Sequence, residues 1–427
     1  MRVIKNYSVV FPGQGSEYAG MMKKYIYYDK TVKEIFKYAS IYSGIDVEEL
    51  CTQAKLSEYK SNVHTQIAVL TTSIALFYIF IKRYGIKPKY FAGHSLGEIT
   101  ALVCSQVITF KDAINLIMTK GKLIDELAIE GKMIAVIGIS KDNVEKICHD
   151  VNKIANCFVN IANENSNEQI TISGNSKGID RLCALLEQNR IYYFDVNVRH
   201  PFHTKLMQKV SDSLVSSIKN FDMHFNCNVY SNVTGEPFRN KEEILNSMIY
   251  HITSKVQWSK IMIDLNLKSD KIIEIGPQNL LRNMYITSDF NYKIFSIDLL
   301  NDCNSLSNDL LYEACEIIYI ELVPDKLMLL KLMVKIMCIS KVKKERYNFQ
   351  ESLTLYTMLK DRISYLSTNN MIPTKLEILD AIRYTKKNLK LKGYSKNEIS
   401  SIMDYYLKKF GLNNSILNEV DYDDERR

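Results

Sequence analysis

The chain has 427 residues, 46% of them hydrophobic, which is enough for roughly two or three domains with cores of their own. Its formal net charge is +7 with no dense basic run, which sets nucleic-acid binding aside. Nine scattered cysteines without a CxxC pair set aside a disulfide framework or a zinc site and suit a reducing cytoplasm.

The N-terminal "MRVIKNYSVVFPGQG" lacks the long apolar core and cleavage site of a signal peptide, and "YSVVFPGQG" predicts a strand followed by a loop. The most apolar run, Ile67–Ile81, is broken by Thr71, Thr72 and Ser73; it is short for a membrane span and predicts a buried helix. "KYFAGHSLGEITALV" predicts strand, sharp turn and helix. Over Asn115–Leu127 the helical period puts Leu116, Ile117, Leu123, Ile124 and Leu127 on one apolar stripe, joined by Ala113, with Lys122, Asp125 and Glu126 opposite. Lys120 falls inside the stripe, where a lysine must find an anion, shift its pKa or snorkel out. A structural salt bridge would satisfy it, and so would an anionic group on a substrate.

From Gly131 to Arg199 the pattern changes. "MIAVIGI" predicts a strand, "KDNVEKICHDVN" a helix with Ser140 as N-cap, "CFVNIAN" and "EQITISG" two strands, "SKGIDRLCALLEQN" a helix and "IYYFDVNV" a last strand. The order βαββαβ is the ferredoxin-like pattern, inserted into a larger domain of alternating strands and helices that resumes and includes the strand and turn of "DKIIEIGPQ". Residues 301–427 hold two of the sixteen glycines and have helical spacing throughout, predicting an all-helical extension that ends in the acidic tail "NEVDYDDERR". Its basic clusters, "KVKKER" and "KKNLKLKGYSK", are either solvated faces or a docking surface.

"GHSLG" (Gly93–Gly97) fits G-x-S-x-G in the strand–turn–helix context that presents a serine nucleophile, Ser95, at a helix N-terminus. A serine nucleophile needs a base, and "RHPFH" offers His200 and His203 where the inserted segment returns; spacing alone does not choose between them. Leu96 supplies one backbone N–H for an oxyanion hole, and the glycine-opened loop "FPGQGS" can supply another.

These segments together resemble the malonyl-CoA:acyl-carrier-protein transacylase family and the acyltransferase domains of polyketide synthases. The resemblance covers roughly residues 7–300 and rests on "FPGQGS", "TQIAVL", "GHSLGEITAL", "GKMIAVIG", "ITISG", "HPFHTKLM", "SNVTGEP", "VQWSK" and "EIGPQNLL", in that order. It implies an α/β class: an α/β-hydrolase-like catalytic domain (1–130 and 200–300), a ferredoxin-like subdomain (131–199), and beyond the family's usual end the helical extension (301–427). It implies Ser95 as nucleophile and His203 as general base without an acidic third member. It places the histidine-orienting carbonyl at Gln257 and the oxyanion hole at the N–H groups of Gln14 and Leu96. It lines the acyl pocket with Gln66, Asn163, Phe202 and His200. Where malonyl-using members carry an arginine that clamps the free carboxylate, this chain carries Lys120, which keeps the charge and loses the planar fork.

The implied reaction is ping-pong: the acyl group of malonyl-CoA, or a related acyl-CoA, passes to Ser95 and then to the phosphopantetheine thiol of an acyl carrier protein. No metal or redox cofactor enters it. The expected setting is a cytoplasmic monomer that serves an acyl carrier protein and in some pathways a polyketide synthase, with no nucleic-acid or membrane partner. Two alternatives remain on the sequence: an acyl hydrolase of the same fold that clears acyl groups from polyketide carrier proteins, motivated by the missing arginine, and a non-catalytic scaffold, against which the intact Ser95 and His203 speak.

Overall fold

The computed structural model describes residues 6–28, 30–55, 59, 61–84, 88–218, 221, 223–225, 228–286, 294–299, 332–334, 336–337, 348–368, 373 and 375–407. The chain divides into two compact units, one of residues 1–81 with 86–305 and one of 82–85 with 306–427.

In the first unit, strand β1 (Tyr7–Phe11) is buried at every residue. That suits the middle of a parallel sheet covered on both faces. The helices α1 (Lys30–Ser43), α2 (Val47–Thr52) and α3 (Asn62–Tyr84) follow, then β2 (Tyr90–Gly93), α4 (Leu96–Cys104) and α5 (Phe110–Leu127). After the inserted segment come α8 (Gln208–Ile218), α9 (Lys241–Tyr250), α10 (Trp258–Lys268), β7 (Lys271–Glu274), α11 (Leu280–Ile286) and β8 (Ile294–Ser296). The parallel sheet has the order β2-β1-β7-β8, with Phe11 paired to Gly93 and Val10 to Glu274. The carboxyl ends of three adjacent strands therefore open into "FPGQGS", "GHSLG" and "IGPQ" along one edge, where open parallel sheets place their sites.

Helix α3 is 23 residues long, longer than the apolar run suggests, and it is the one helix among the described residues long and apolar enough to cross a membrane. Of its apolar window 72% is buried inside the protein. Thr71, Thr72 and Ser73, which interrupt the run, are fully buried.

The inserted segment builds the second sheet from β3 (Lys132–Ile137), β4 (Val159–Glu164), β5 (Gln169–Gly174) and β6 (Tyr193–Asp195), antiparallel in the order β4-β5-β3-β6. Helices α6 (Lys141–Asn152) and α7 (Ser176–Gln188) share one apolar core with it. Ser140 is the N-cap of α6, but its side chain makes no capping bond. Strand β6 is three residues long, shorter than "IYYFDVNV" suggests, because Asp195 is its last residue paired to β3. The Gly131 N–H donates to the Arg199 carbonyl at 3.0 Å, so the segment leaves and returns side by side.

In the second unit, all regular structure among the described residues is helical: Phe349–Thr368, Lys375–Leu391 and Lys396–Leu407, around a core that includes Leu359, Leu366, Ile382 and Met403. Within the basic stretch Lys386–Lys396, Lys387 pairs with Glu351 at 2.8 Å. Lys392 is buried and donates to the Met337 carbonyl, so the stretch is no uniform solvated face. The cluster Lys341–Arg346 and the acidic tail lie outside the described residues.

Candidate active site

Ser95 sits between β2 and α4 with φ 51° and ψ −112°, a conformation rare outside glycine. The flanking glycines are required by close approach and not by their dihedrals, since neither has positive φ. A Cβ on Gly93 would lie 1.9 Å from the Gly97 carbonyl carbon, and one on Gly97 would lie 2.1 Å from the Phe11 carbonyl oxygen. The turn is folded so tightly on itself and on β1 that only hydrogen fits, and the strained dihedral falls on the serine.

Two further residues hold this turn. The Ser95 N–H donates to Asn232 Oδ1 at 2.8 Å, and Asn232 Nδ2 donates to the Gly93 carbonyl at 2.7 Å. Asn232 is in turn held by Glu98, whose carboxylate accepts from the Asn232 N–H and, at 2.8 Å, from the Ser247 hydroxyl. Burial raises the Glu98 pKa to about 7 against those bonds. Neither residue was picked out as functional from the sequence. The available signals were the asparagine of "SNVTGEP" and a carboxylate in the otherwise apolar first turns of α4.

The Ser95 hydroxyl meets His203 Nε2 at 2.9 Å. His203 Nδ1 lies 2.9 Å from the His251 carbonyl and 3.2 Å from that of Ser254. Carbonyls only accept, so Nδ1 carries the proton and Nε2 is left to accept from Ser95 Oγ–H. His203 is buried, has φ 61°, and donates its own N–H to the Ile252 carbonyl at 2.8 Å. Burial above all, with His94 and Lys120 adding, lowers its pKa to about 4, while the His251 carbonyl opposes the shift.

The histidine-orienting expectation for Gln257 needs correction. Gln257 caps α10, receives no bond from His203, donates its N–H to the Asn232 carbonyl at 2.9 Å and turns its side-chain amide to the Val233 carbonyl. The chain approaches His203 Nδ1 earlier, at the end of α9, so the carbonyls in reach are those of His251 and Ser254.

His200, the alternative left open by spacing, is half-buried with Nδ1 at 3.1 Å from the Ile129 carbonyl and makes no bond to Ser95. Its ring lies edge-on to Phe202, which is buried. His94 points away from the Ser95 hydroxyl, toward Asn165 Oδ1 at 2.8 Å.

Leu96 opens α4, and its N–H has no intrahelical partner, as at any helix start. The loop after β1 presses on the elbow: an ideal Cβ at Gly13 would lie 2.6 Å from the His94 carbonyl oxygen and 3.6 Å from Leu96 N. Gln14, next in that loop, anchors its side chain on Asn62 at 3.1 Å.

Lys120 is half-buried on α5, on the same side as buried Ala113, Leu116, Ile117 and Ile124. Leu127, at the end of the stripe, is exposed, because the helix ends there. The alternative to a substrate clamp, a structural salt bridge, is not present: no carboxylate lies within 4.0 Å of Lys120 among the described residues. Burial lowers its pKa to about 8. It lines a small cavity of about 10 Å³ with Glu98, Ile99, Leu116, Met248, His251 and Ile252. Gln66, Asn163 and Phe202 are buried but do not line that cavity. Asn163 sits at a bulge in β4 beside Val256, its Oδ1 without a hydrogen-bond partner among the described residues.

A serine at a strained strand–helix turn, bonded to a buried neutral histidine on an α/β scaffold, defines an acyl-transfer enzyme, and residues 8–287 match the acyl transferase domain family. The malonyl CoA-acyl carrier protein transacylase of Buchnera aphidicola is 31% identical over 317 residues, 72% of this chain and 98% of that one. The protein of that name from Escherichia coli K12 is 31% identical over 285 residues, 65% of this chain and 91% of its own. Among solved structures, FabD from Acinetobacter baumannii superposes with TM-score 0.68 at 28% identity, over 73% of this chain and 99% of its own. A malonyl-transacylase solved in complex with its type II polyketide acyl-carrier protein superposes with TM-score 0.67 at 26% identity, over 71% of this chain and 99% of its own. The chain belongs to the malonyl CoA-acyl carrier protein transacylase family.

Proposed function

We propose that this chain transfers a malonyl group from malonyl-CoA to the phosphopantetheine thiol of an acyl carrier protein through a malonyl-Ser95 ester. The observation that carries the reading is the 2.9 Å contact of Ser95 Oγ with His203 Nε2, beside a half-buried lysine that has no counter-ion among the described residues. His203 takes the Ser95 proton as Oγ attacks the thioester carbonyl. The N–H groups of Leu96 and Gln14 receive the developing oxyanion, aided by the positive end of α4. His203 then protonates the departing CoA thiolate. In the second half the carrier thiol gives its proton to His203 and attacks the ester carbonyl, and His203 returns that proton to Ser95 Oγ as the ester bond breaks. Lys120 pairs with the distal carboxylate of the malonyl group, and Phe202, Gln66, Asn163 and His200 shape the acyl site. The chemistry requires no metal or redox group.

The α/β-hydrolase-like description of the parallel-sheet part and the ferredoxin-like description of residues 131–199 belong to the same proposal. Support comes from the strand order β4-β5-β3-β6 and the βαββαβ succession. The boundaries 1–130 with 200–300, 131–199 and 301–427, the cytoplasmic setting and the monomeric state are likewise proposed. For 301–427 the reading is a helical extension that either caps the catalytic domain or docks a synthase.

Intact-mass measurement of the chain after incubation with malonyl-CoA or acetyl-CoA tests the function. The expected result is a malonyl adduct that Ser95→Ala abolishes, followed by transfer to carrier protein. Acetyl loading without malonyl loading removes the malonyl assignment, and free acid released faster than acyl-carrier product replaces transfer with hydrolysis.

A further inference from the structure

The cavity beside Lys120 holds a second polar group that the reaction above leaves unused. His251 is 8% exposed, and its Nε2 is buried without a hydrogen-bond partner among the described residues. His251 lines the same cavity as Lys120. Its backbone is already committed, with the N–H donating to the Ser247 carbonyl at 2.7 Å and the carbonyl accepting from His203 Nδ1 at 2.9 Å. The imidazole is not needed for either bond. Its ring stands edge-on to that of His203, with centroids 5.1 Å apart at 88°.

Resting on the malonyl-transfer reading, we propose that His251 Nε2–H is the second donor to the substrate carboxylate that Lys120 Nζ holds. A buried polar nitrogen without a partner is costly, and on the Nε2–H tautomer it calls for an acceptor. Glu98 lines the cavity too, but its oxygens already accept from the Asn232 N–H and the Ser247 hydroxyl. The remaining lining, Ile99, Leu116, Met248 and Ile252, is apolar and offers no acceptor from its side chains. The free space, about 10 Å³, is what one water or one carboxylate oxygen fills. The Lys120 ammonium favours the anion. Burial first, then His203 and that same ammonium, disfavour the charged form of His251, and the neutral ring has one N–H, which its Nε2 tautomer offers here. An arginine offers two donors on one planar group; here two side chains from α5 and from the turn after α9 each offer one.

The test is the kinetics of Ser95 acylation by malonyl-CoA and acetyl-CoA in the full chain, comparing wild type with His251→Phe and His251→Gln. Phenylalanine keeps the edge-on packing and removes the donor; glutamine restores an N–H. The kcat/KM ratio of malonyl to acetyl is expected to fall about tenfold in His251→Phe, mainly through KM for malonyl-CoA, and to recover most of that in His251→Gln. A role confined to positioning His203 would slow both substrates in proportion, and an unchanged ratio overturns the proposal. If a melt shows that His251→Phe does not fold, His251→Leu is a second donor-free variant with the same expectation. Wild type that loads acetyl in preference to malonyl overturns the malonyl assignment itself, and this inference with it.

Discussion

Ser95 and His203 meet from two left-handed backbone conformations, φ 51° and φ 61°, each costing on the order of 1–3 kcal/mol. At Ser95 that cost is separable from the chemistry. Ser95→Ala keeps the strain and Ser95→Gly relieves it, so both lose the acyl adduct while the glycine variant melts higher, by about 1 kcal/mol of stability. The shifted pKa values predict the pH profile. His203 acts as base only when neutral, and with its pKa lowered to about 4 the acid limb of malonyl kcat/KM falls through about pH 4 rather than through the ordinary histidine range. The same depression makes the unfolded chain the better proton binder between the two values. His203 therefore withdraws stability as pH falls below about 6.5 toward 4, and none above. Lys120 carries charge only below about pH 8, so malonyl kcat/KM declines as pH rises through about 8 while acetyl kcat/KM does not share that limb. An acid limb near 6.5, or parallel alkaline limbs for the two substrates, refutes these assignments. Lys120→Ala is expected to lower malonyl loading by about tenfold or more, and Lys120→Arg to retain it. At this scale Ser95 was legible because its turn has a motif and a strand–helix context. The choice of His203 over His200 came from resemblance, and the carbonyls that hold it were misassigned, because a backbone acceptor leaves no residue-type signature in a sequence.

The elbow is one element assembled from three stretches of chain. Gly97→Ala would drive a methyl against the Phe11 carbonyl at 2.1 Å, backbone on backbone with no side chain to give way. We expect a loss of about 3 kcal/mol or more, measured by denaturant unfolding, together with loss of acyl loading. Asn232→Ala strands the Ser95 N–H and the Gly93 carbonyl, and its expected cost is about 2–4 kcal/mol with slower loading of malonyl and acetyl alike. That common effect distinguishes a residue that positions the nucleophile from one that grips the carboxylate. The elements themselves were largely readable: β1, β2 and β7 as short apolar strands, α6 and α7 from helical period. What could not be read is that Asn232, 137 residues from Ser95, closes the turn. Local periodicity reports which face of an element is buried, never which distant segment covers it.

Over the whole chain, the family match ends at residue 287 while helical structure continues to residue 407, in a unit with its own core. Ending the chain after Ser305 is expected to leave Ser95 loading and transfer to free carrier protein within about twofold of the full chain, while binding to a synthase weakens; native mass spectrometry and pull-down read the two separately. Equal synthase binding by both forms removes the docking role. The sequence by itself determined the class of structure, the βαββαβ succession and the candidate nucleophile. Each of these is written in local signals, such as strand period, helix period and a glycine-flanked serine before a helix. Only the tertiary structure decided the rest: that Asn232 closes the Ser95 turn, that the carbonyls of His251 and Ser254 fix the His203 tautomer, and that Lys120 has no carboxylate within 4.0 Å among the described residues. Those are distances between segments far apart in the chain, and they exist only once the sheet edge and the returning insertion have brought them together.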